Sequence, residues 1–452
     1  MSASPTTLLL VDAAQRAGAY LEGLSRRPVA PSPEAVAALG ELDEPFPDEP
    51  TAPAAVLDEL DRRISPATMA MAGPRFFGFV IGGALPTTLA ANVLATAWDQ
   101  NTAKSAVTPG TAALEQVALR WVLEVLGLPR EAAGGFVTGA TVANFTALAA
   151  ARHAVLAAEG WDVEARGLFG APPITVVVGG EVHVSVLKAL AMLGLGRERL
   201  VRVPVDGQGR LRPDAMPALR APAIVCLQAG NVNTGSFDPA RAVIGRAHEA
   251  RAWVHVDSAF GLWAAAAPGR AHLTAGLAEA DSWATDAHKW LNVPYDSGLA
   301  LVLDAAALKA AMGIAAAYLP DAGLRDPADF TPELSRRARG VEVWAALRAL
   351  GRRGLAELIE TSCRHATRFA EGLSAAGHRV LNEVVLNQVL VSFGDEGRTR
   401  RVIDALQADG TCWCGGTVWQ GQTAMRISVS CWATTRDDVE RSLAAMLRAA
   451  RH

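Results

Sequence analysis

The chain contains four lysines, and a lysine amine is one of the few protein groups that can form a Schiff base with a carbonyl compound. Lys104 lies in a polar stretch, whereas Lys188 and Lys309 lie in helix-like stretches rich in Ala and Leu. Lys289 differs because it follows a short apolar strand in the run SWATDAHKWLNVPYDSG. Ligands of open α/β sheets bind at the carboxyl ends of strands. Lys289 is therefore the candidate for chemistry with a carbonyl substrate or pyridoxal phosphate (PLP), with an ordinary surface lysine as the alternative.

Asp257 is the second residue that favours such a site. It ends the apolar strand WVHVD, upstream of Lys289. A carboxylate at the end of a buried strand is costly unless it has a partner. A protonated pyridine nitrogen would be such a partner, since the pyridinium ring is the electron sink of PLP chemistry. A strand-end cap or a structural salt bridge is the alternative for Asp257 alone, and the pair with Lys289 favours the cofactor.

A turn of small residues and one histidine complete the candidate site. Residues 138–141 (TGAT) lie between a strand-like GGFV and a helix-like stretch. Small residues at a helix N-terminus expose backbone N–H groups to an anion such as phosphate, although a simple helix cap uses the same residues. His183 lies between a strand and a helix in GGEVHVSVLKA. Its imidazole is placed either to stack on a flat ring or to serve the structure alone.

An α/β scaffold is needed to position these residues. Apolar strands are predicted at 174–179, 223–230, 253–260, 282–286 and 298–303, with helix-like stretches that include 111–126 and 142–157. This alternation predicts a mostly parallel sheet covered on both faces. Beyond residue 331 the pattern indicates a smaller α+β unit. We predict an N-terminal arm with helices at 1–70, a large α/β domain at 71–335 and a C-terminal α+β domain at 336–452.

Composition excludes several other classes of protein. A net charge of −4 argues against a strongly basic nucleic-acid binder or a polybasic membrane-surface protein. The N-terminus lacks the pattern of a signal peptide, and the uncharged segment 76–98 is too rich in Gly, Thr and Pro for a membrane span. The five cysteines are scattered, and Cys412-Trp413-Cys414 has no matching second pair for a metal site. We expect a cytoplasmic protein without a bound metal.

The order of the motifs resembles the group II PLP-dependent amino acid decarboxylases, which include aromatic-L-amino-acid, histidine, glutamate and cysteine-sulfinate decarboxylases. The resemblance extends from about Pro74 to the end of the chain. It rests on PRFFGF, EVHVSVLKA, GSFDP, WVHVDSAFG, DAHKW and MRISVS, in that order. DAHKW after HVDSAFG is the most specific part. The resemblance implies a fold type I, PLP-dependent transferase-like large domain with PLP as cofactor. It also implies a homodimer in which a second subunit completes the active site.

The resemblance also implies a role for each matching residue. Lys289 would hold PLP and Asp257 would pair with the pyridinium nitrogen. His183 would stack on one face of the ring, with Ala259 beneath the other face. The phosphate would be surrounded by Gly139, Ala140, Thr141 and His288. Tyr318, in the stretch GIAAAYLPDAGLRDPADF, matches the loop tyrosine that protonates the carbanion left by carbon dioxide; a partly buried aromatic is the alternative.

One departure from the family concerns the segment before GSFDP. Many members have Gly-Thr-Thr there, whereas this chain has Gly230-Asn231-Val232-Asn233. Val232 thus replaces a hydroxyl near the cofactor. Either asparagine is a possible substitute for that hydroxyl, and we assign Asn231 to the cofactor site.

Four aromatic residues are predicted to form an apolar substrate wall, with core packing as the alternative: Phe76, Phe77, Phe79 and Trp98. The predicted reaction removes the α-carboxylate of an aromatic or bulky apolar L-amino acid, giving an amine and carbon dioxide. The alternative is another PLP reaction on the same fold, namely that of an aldehyde synthase, a transaminase or a carbon–carbon lyase.

Overall fold

Two β-sheets organise the chain. The structure is a computed structural model and describes residues 3–314 and 325–451. A seven-stranded sheet is built from residues between 133 and 302, and a four-stranded sheet from residues between 379 and 428. The two sheets fall on either side of the boundary expected near residue 335, while the predicted domain limits themselves stay a prediction.

The large sheet is mostly parallel, as predicted. Its strands are β1 (Ala133–Val137), β2 (Thr175–Gly179), β3 (Val201–Val203), β4 (Ala223–Gln228), β5 (Trp253–Asp257), β6 (Ser282–Asp286) and β7 (Gly298–Val302). They lie in the order β1-β7-β6-β5-β4-β2-β3. Only β7 runs antiparallel to its neighbours, β1 and β6. Strand β3 was not predicted, because it has three residues and two of them are exposed.

The helices of the described residues follow the predicted alternation with the strands. They are α1 (Pro5–Gly23), α2 (Pro33–Ala37), α3 (Pro53–Arg63), α4 (Pro86–Trp98), α5 (Pro109–Val125), α6 (Ala140–Ala157), α7 (Val163–Arg166), α8 (Val184–Met192), α9 (Ala240–Glu249), α10 (Ala305–Met312), α11 (Gly340–Ala375), α12 (Glu396–Asp409) and α13 (Arg436–Ala449). Prolines occupy the first turn of α1 to α5, where a missing N–H costs no hydrogen bond.

Helices cover both faces of the large sheet, so its strands are apolar on both sides. In β4, Ile224 and Cys226 pack into a core shared with α6, α8 and α10. Val225 and Leu227 point the other way, into a core shared with α5, α9 and α11. This alternation explains why the strands read as short continuous apolar runs.

The smaller sheet is antiparallel and contains β8 (Arg379–Val380), β9 (Gln388–Ser392), β10 (Gly415–Trp419) and β11 (Gln422–Ser428), in the order β10-β11-β9-β8. Helix α11 joins the two cores. Its residues 343–363 contribute to the core of the large sheet, and its residues 366–373 contribute to that of the small sheet. The helix is interrupted at Gly351, whose φ of 58° is accessible to glycine at little cost.

Seven prolines between residues 28 and 53 predict an extended segment, but the structure has two short helices there. Between residues 28 and 53 it contains α2 and a 3-10 helix at Ala38–Leu42, because Ser32 caps the helix and Pro33 occupies its first turn. Val29 fixes this segment to the small unit through a bond from its N–H to the carbonyl of Gly410, at 2.9 Å. Among the described residues, no helix has the length and apolarity that spanning a membrane requires.

Candidate active site

The predicted site residues come from four strands whose carboxyl ends meet at one edge of the large sheet. Strand β1 leads through Gly139 into α6, and β2 leads to His183 at the start of α8. Strand β5 ends at Asp257, and β6 ends at Asp286, three residues before Lys289. A cleft at this edge is lined by His183, Gln228, Gly230, Val232, Asp257, Ala259, Phe260 and Lys289. The structure therefore brings Lys289, Asp257, His183 and Ala259 together.

Lys289 contacts a carboxylate that was not predicted. Its Nζ lies 2.9 Å from Oδ2 of Asp286. The other oxygen of Asp286, Oδ1, accepts a hydrogen bond from the backbone N–H of Ala140 at 2.6 Å. Asp286 thus ties the lysine to the first residue of α6. Its position at the end of β6, three residues before the lysine, is the sequence signal that would have found it.

Asp257 is buried with one oxygen unpaired. Its Oδ2 accepts a long hydrogen bond of 3.5 Å from Oγ of Ser185. Its Oδ1 has no hydrogen-bond partner among the residues that the structure describes. Burial raises the pKa of Asp257, and the nearby His183 and Lys289 oppose that rise. A buried carboxylate oxygen without a donor is costly, so this geometry calls for a cationic donor at Oδ1.

His183 is held at the start of α8 by its own ring. Nδ1 accepts a hydrogen bond from the backbone N–H of Ser185 at 3.2 Å and lies 2.7 Å from Oγ of the same serine. Burial lowers the pKa of His183, while Asp257 opposes that change. The imidazole is therefore neutral near pH 7. Because Nδ1 is an acceptor, its proton is on Nε2.

Close packing of two glycines shapes the start of α6. A Cβ on Gly298 would lie 2.5 Å from Cα of Gly139, which excludes a side chain there. The first intrahelical bond runs from Ala143 to the carbonyl of Gly139, at 2.8 Å. The N–H groups of Thr141 and Val142 precede that bond, so they have no acceptor within the helix. This arrangement suits an anion.

His288 lies beside this helix start. Its Nδ1 accepts a hydrogen bond from the backbone N–H of Ser297 at 3.0 Å, and the ring of Tyr295 stacks on its ring at 4.2 Å. Burial lowers the pKa of His288, which keeps the ring neutral. The Nε2–H group is thus a donor, and it lies 3.6 Å from Oδ1 of Asp286. His288 and the first turn of α6 together form a cradle of N–H donors.

Comparison with known proteins decides what kind of site this is. Residues 33–394 match the model of the pyridoxal-dependent decarboxylase conserved domain, which is well over half of the chain. The chain belongs to the pyridoxal-dependent decarboxylase family. It is a PLP-dependent carboxy-lyase that acts on an amino acid, and PLP is its cofactor.

Individual members of the family match along most of the chain. A tyrosine decarboxylase of Oryza sativa subsp. japonica is 31% identical over 81% of this chain and 74% of its own length. An L-2,4-diaminobutyrate decarboxylase of Rhizobium meliloti is 29% identical over 90% of this chain and 84% of its own length. The crystal structure of Oryza sativa TDC with PLP and tryptamine superimposes with a TM-score of 0.90 over 100% of this chain and 99% of that one. At 22% identity this last likeness shows the fold, which is fold type I as predicted.

The residues of this pyridoxal-dependent decarboxylase fit PLP. The unpaired Oδ1 of Asp257 can accept the proton of a pyridinium nitrogen. The donor cradle at Gly139 and His288 can hold a phosphate dianion. Lys289 lines the same cleft as Asp257, and its amine contacts Asp286, which also contacts the first residue of α6. A flat ring with a protonated nitrogen and a phosphate group would suit Asp257, the donor cradle and Lys289 together.

The structure places Asn231 away from the role predicted for it. Its Oδ1 accepts from the N–H groups of Asn233 and Thr234 at 2.8 and 3.1 Å, and its Nδ2 donates to Gln228 at 2.8 Å. The amide is therefore engaged in holding its own loop. Val232, not Asn231, lines the cleft.

Arg426 reaches the same loop from the small sheet. The guanidinium donates to the carbonyl of Val232 at 3.3 Å. Burial lowers the pKa of Arg426 from its ordinary value. The arginine joins the two sheets at the edge of the cleft, and its position in β11 beside GNVN was not evident from the sequence.

Two of the four predicted wall aromatics belong to the core instead. Phe77 packs edge-on against Phe369 in the core of the small sheet. Phe76 stacks on Trp413 with ring centroids 5.0 Å apart, and it is buried in a separate cluster. Both side chains are 1% exposed, so neither is open to a substrate from this chain's cleft. Core packing, which was the alternative to a substrate wall, is therefore what the structure shows for Phe76 and Phe77.

Phe79 and Trp98 are exposed in the chain. Phe79 stacks on Trp413 at 5.6 Å and is 59% exposed; Trp98, at the end of α4, is 48% exposed. Phe79 has a left-handed φ of 53°, which is unfavourable for a bulky residue. Three residues later, a Cβ on Gly82 would lie 2.0 Å from the carbonyl oxygen of Lys289. The strained segment that carries Phe79 therefore runs against the backbone of the lysine, whereas Trp98 has no such connection.

Tyr318 lies outside the described residues. The structure describes the residues on either side of that segment. Helix α10 ends at Met312, and Asp326 accepts a hydrogen bond from the N–H of Ser105 at 2.8 Å. Lys104 pairs with Asp326 at 2.9 Å. The role predicted for Tyr318 stays a prediction.

Cys412 and Cys414 are not part of a metal-binding site in the residues that the structure describes. Cys412 and Cys414 are both buried and unpaired. No group of three or more His, Cys, Asp or Glu side chains that could hold a metal occurs in residues 3–314 and 325–451.

Proposed function

We propose that this decarboxylase removes the α-carboxylate of an aromatic or bulky apolar L-amino acid, giving the corresponding amine and carbon dioxide. The observation that carries the proposal is the lining of the cleft. Beside the groups assigned to the cofactor, it offers Gly230, Val232 and Gln228, whose side-chain oxygen is taken by Asn231. Val232 therefore contributes an apolar side chain to the lining, which suits an apolar substrate side chain.

The site residues divide into three groups in this proposal. Lys289 binds the cofactor covalently, and Asp257 pairs with its ring nitrogen. His183 and Ala259 enclose the ring from its two faces. The phosphate is held by Gly139, Thr141 and His288, while the N–H of Ala140, also predicted to contact it, is taken by Asp286. The unpaired Oδ1 of Asp257 and the donor groups at the start of α6 support this assignment.

When bound, PLP supplies the electron sink for the electron pair of the Cα–carboxylate bond. Asp257 keeps a proton at the ring nitrogen, because its buried carboxylate is stabilised only when paired with a cation. Asp286 orients the amine of Lys289 through its contact of 2.9 Å. The neutral ring of His183 covers the site without adding a charge. Tyr318 delivers the proton to Cα after carbon dioxide leaves.

We also propose that the enzyme is a homodimer. Helix α1 has no buried residue, and its exposed apolar side chains include Leu8, Leu10 and Val11. Further exposed apolar side chains, Val93, Leu94 and Trp98, lie on α4. A second subunit would cover such surfaces.

The five unpaired cysteines support a reducing, cytoplasmic location.

The test is an assay of purified holoenzyme with each of the twenty common amino acids. Carbon dioxide, amine, aldehyde and ammonia are measured separately. We expect amine and carbon dioxide in equal amounts from an aromatic or bulky apolar substrate. Preferred turnover of an acidic or basic amino acid would overturn the substrate class. Aldehyde and ammonia as main products would show that the alternative reaction, that of an aldehyde synthase, is correct.

A further inference from the structure

A continuous chain of buried side chains runs from the interior of the large sheet to His183 and Asp257. It consists of Trp253, Ser282, His255, Asn144 and Ser185, from strands β5 and β6 and helices α6 and α8. Each of the three central members, Asn144, His255 and Ser282, is fully buried. A buried polar chain of this length is costly unless every member is satisfied, so the direction of each hydrogen bond is informative.

The first half of the chain is anchored by a neutral histidine. Trp253 donates its Nε1–H to Oγ of Ser282 at 2.8 Å. Oγ of Ser282 lies 2.9 Å from Nδ1 of His255, and Nε2 of His255 lies 2.8 Å from Oδ1 of Asn144. Since Oδ1 can only accept, Nε2 carries the imidazole proton. Burial lowers the pKa of His255 to about 3, so the ring is neutral and Nδ1 accepts from Ser282.

The second half of the chain ends on the two cofactor-facing groups. Because Oδ1 of Asn144 is taken by His255, its Nδ2 points at Ser185 and donates to Oγ at 3.2 Å. Ser185 then has one hydroxyl proton left to donate. Two acceptors lie within reach: Nδ1 of His183 at 2.7 Å and Oδ2 of Asp257 at 3.5 Å. All hydrogen bonds of the chain therefore run in one direction, toward these two acceptors.

We propose that Asn144, Ser185 and His255 are positioning residues that hold His183 as its Nε2–H form and keep Asp257 ready to pair with the cofactor's ring nitrogen. Ser185 contacts both groups; Asn144 acts through Ser185 and also lowers the pKa of Asp257 directly, and His255 acts through Asn144. The inference rests on the proposed function for the roles of His183 and Asp257. None of these three residues was among the predicted site residues, and none of them lines the cleft.

The test measures cofactor binding without substrate. Holoenzyme is prepared for Ser185→Ala, Asn144→Leu and the double variant, with Thr146→Val as control. The Thr146 hydroxyl is buried on the same helix as Asn144, and among the described residues it bonds to the carbonyl of Val142 alone, at 2.8 Å. The readouts are the dissociation constant for PLP and the pH midpoint at which the visible spectrum of the bound cofactor titrates.

We expect each single variant to bind PLP about tenfold more weakly and to shift the pH midpoint. The effect of the double variant should fall clearly short of the sum of the two single effects, because both substitutions interrupt the same chain. Thr146→Val should match the wild type in both readouts. If Asn144→Leu fails to fold, Ser185→Ala alone decides.

Wild-type PLP affinity and an unchanged midpoint in Ser185→Ala would overturn the proposal, as would fully additive effects in the double variant. Both readouts are independent of the substrate. An enzyme that binds PLP through Lys289 but decarboxylates no aromatic or bulky apolar amino acid would contradict the proposed substrate and leave this test intact.

Discussion

Lys289, Asp257 and His183 belong to three separate strand ends, and each is shaped by a neighbour that the motifs did not include. Lys289 contacts Asp286, while Ser185 links His183 to Asp257. The chemistry of these residues depends on which of them carry a proton. His183 and His288 are neutral because burial lowers the pKa of each, and Asp257 is costly to bury without a cation. A bound pyridinium would remove that cost.

At the residue scale, Tyr318→Phe tests the proton donor assigned from sequence. Removal of the hydroxyl should slow amine formation by about 100-fold, since a positioned general acid contributes rate factors of that order. We expect part of the flux to appear as aldehyde and ammonia, with dioxygen consumed. Tyr20→Phe is the control, because the Tyr20 hydroxyl bonds Thr68 at 2.8 Å in the N-terminal region. Full amine production by Tyr318→Phe would show that another group supplies the proton.

At the element scale, the site depends on how closely the start of α6 approaches β7. Gly298 begins β7 at its contact with Gly139, and Gly82 passes the backbone of Lys289 at a distance that no side chain allows. The carboxyl ends of parallel strands meet at this edge, which is why residues distant in sequence share one cleft. Helix α6 then carries Asn144 back into the interior, where it meets β5 and β6 through His255.

Gly298→Ala should displace the start of α6, because the new Cβ would lie 2.5 Å from Cα of Gly139. The substituted enzyme should lose most of its affinity for PLP, as measured by equilibrium titration of the apoenzyme. Gly245→Ala in α9 is the matched control. A Cβ there meets nothing within 4 Å, so the change should stabilise the helix by about 0.5–1 kcal/mol. Normal PLP affinity in Gly298→Ala would contradict the role given to this close approach.

The buried His255 makes stability depend on pH. Its pKa is about 3 in the folded chain, below the ordinary value of 6.5. Between those values the unfolded chain binds a proton that the folded chain does not. The free energy of unfolding should therefore fall as pH drops below 6.5, by up to about 1.4 kcal/mol per pH unit from this group. Urea unfolding at pH 7 and pH 5 should show a shallower loss for His255→Gln; an equal loss would contradict the assignment.

The sequence predicted the long elements of the fold, and four predicted site residues line one cleft, while their roles stay predictions. Strands such as β4 and β5 are continuous apolar runs; Asp257 ends β5, and Lys289 follows the end of β6 by three residues. It did not separate Phe76 and Phe77 from Phe79, since burial depends on which side of a short loop faces the small sheet. Asn231 was misplaced for a similar reason, because its amide bonds within its own turn.

At the scale of the whole molecule, the two sheets are joined by α11 and by the segment around Phe77, and the cleft opens where they meet at Val232 and Arg426. Helices α1 and α2 lie in the N-terminal 53 residues and contain no buried side chain, whereas Leu24 and Val29 between them are buried. The two helices therefore bury little within one chain, and a partner subunit would cover them.

Deletion of residues 1–53 should therefore weaken the homodimer. Light scattering of the full-length and shortened chains over a dilution series is the measurement. We expect the full chain to remain dimeric at concentrations where the shortened chain dissociates. An equally stable dimer without the segment would show that α1 and α2 do not contribute to the interface.

The central claim is that Lys289 alone binds PLP, and its most direct test uses the scarcity of lysine. Borohydride reduction of the holoenzyme fixes the cofactor to the lysine that holds it, and peptide mass analysis then locates it among Lys104, Lys188, Lys289 and Lys309. We predict modification of Lys289 only, with loss of the visible cofactor band in Lys289→Ala and its retention in Lys188→Ala. Cofactor fixed to any of the other three lysines, or a normal visible band in Lys289→Ala, would contradict the account.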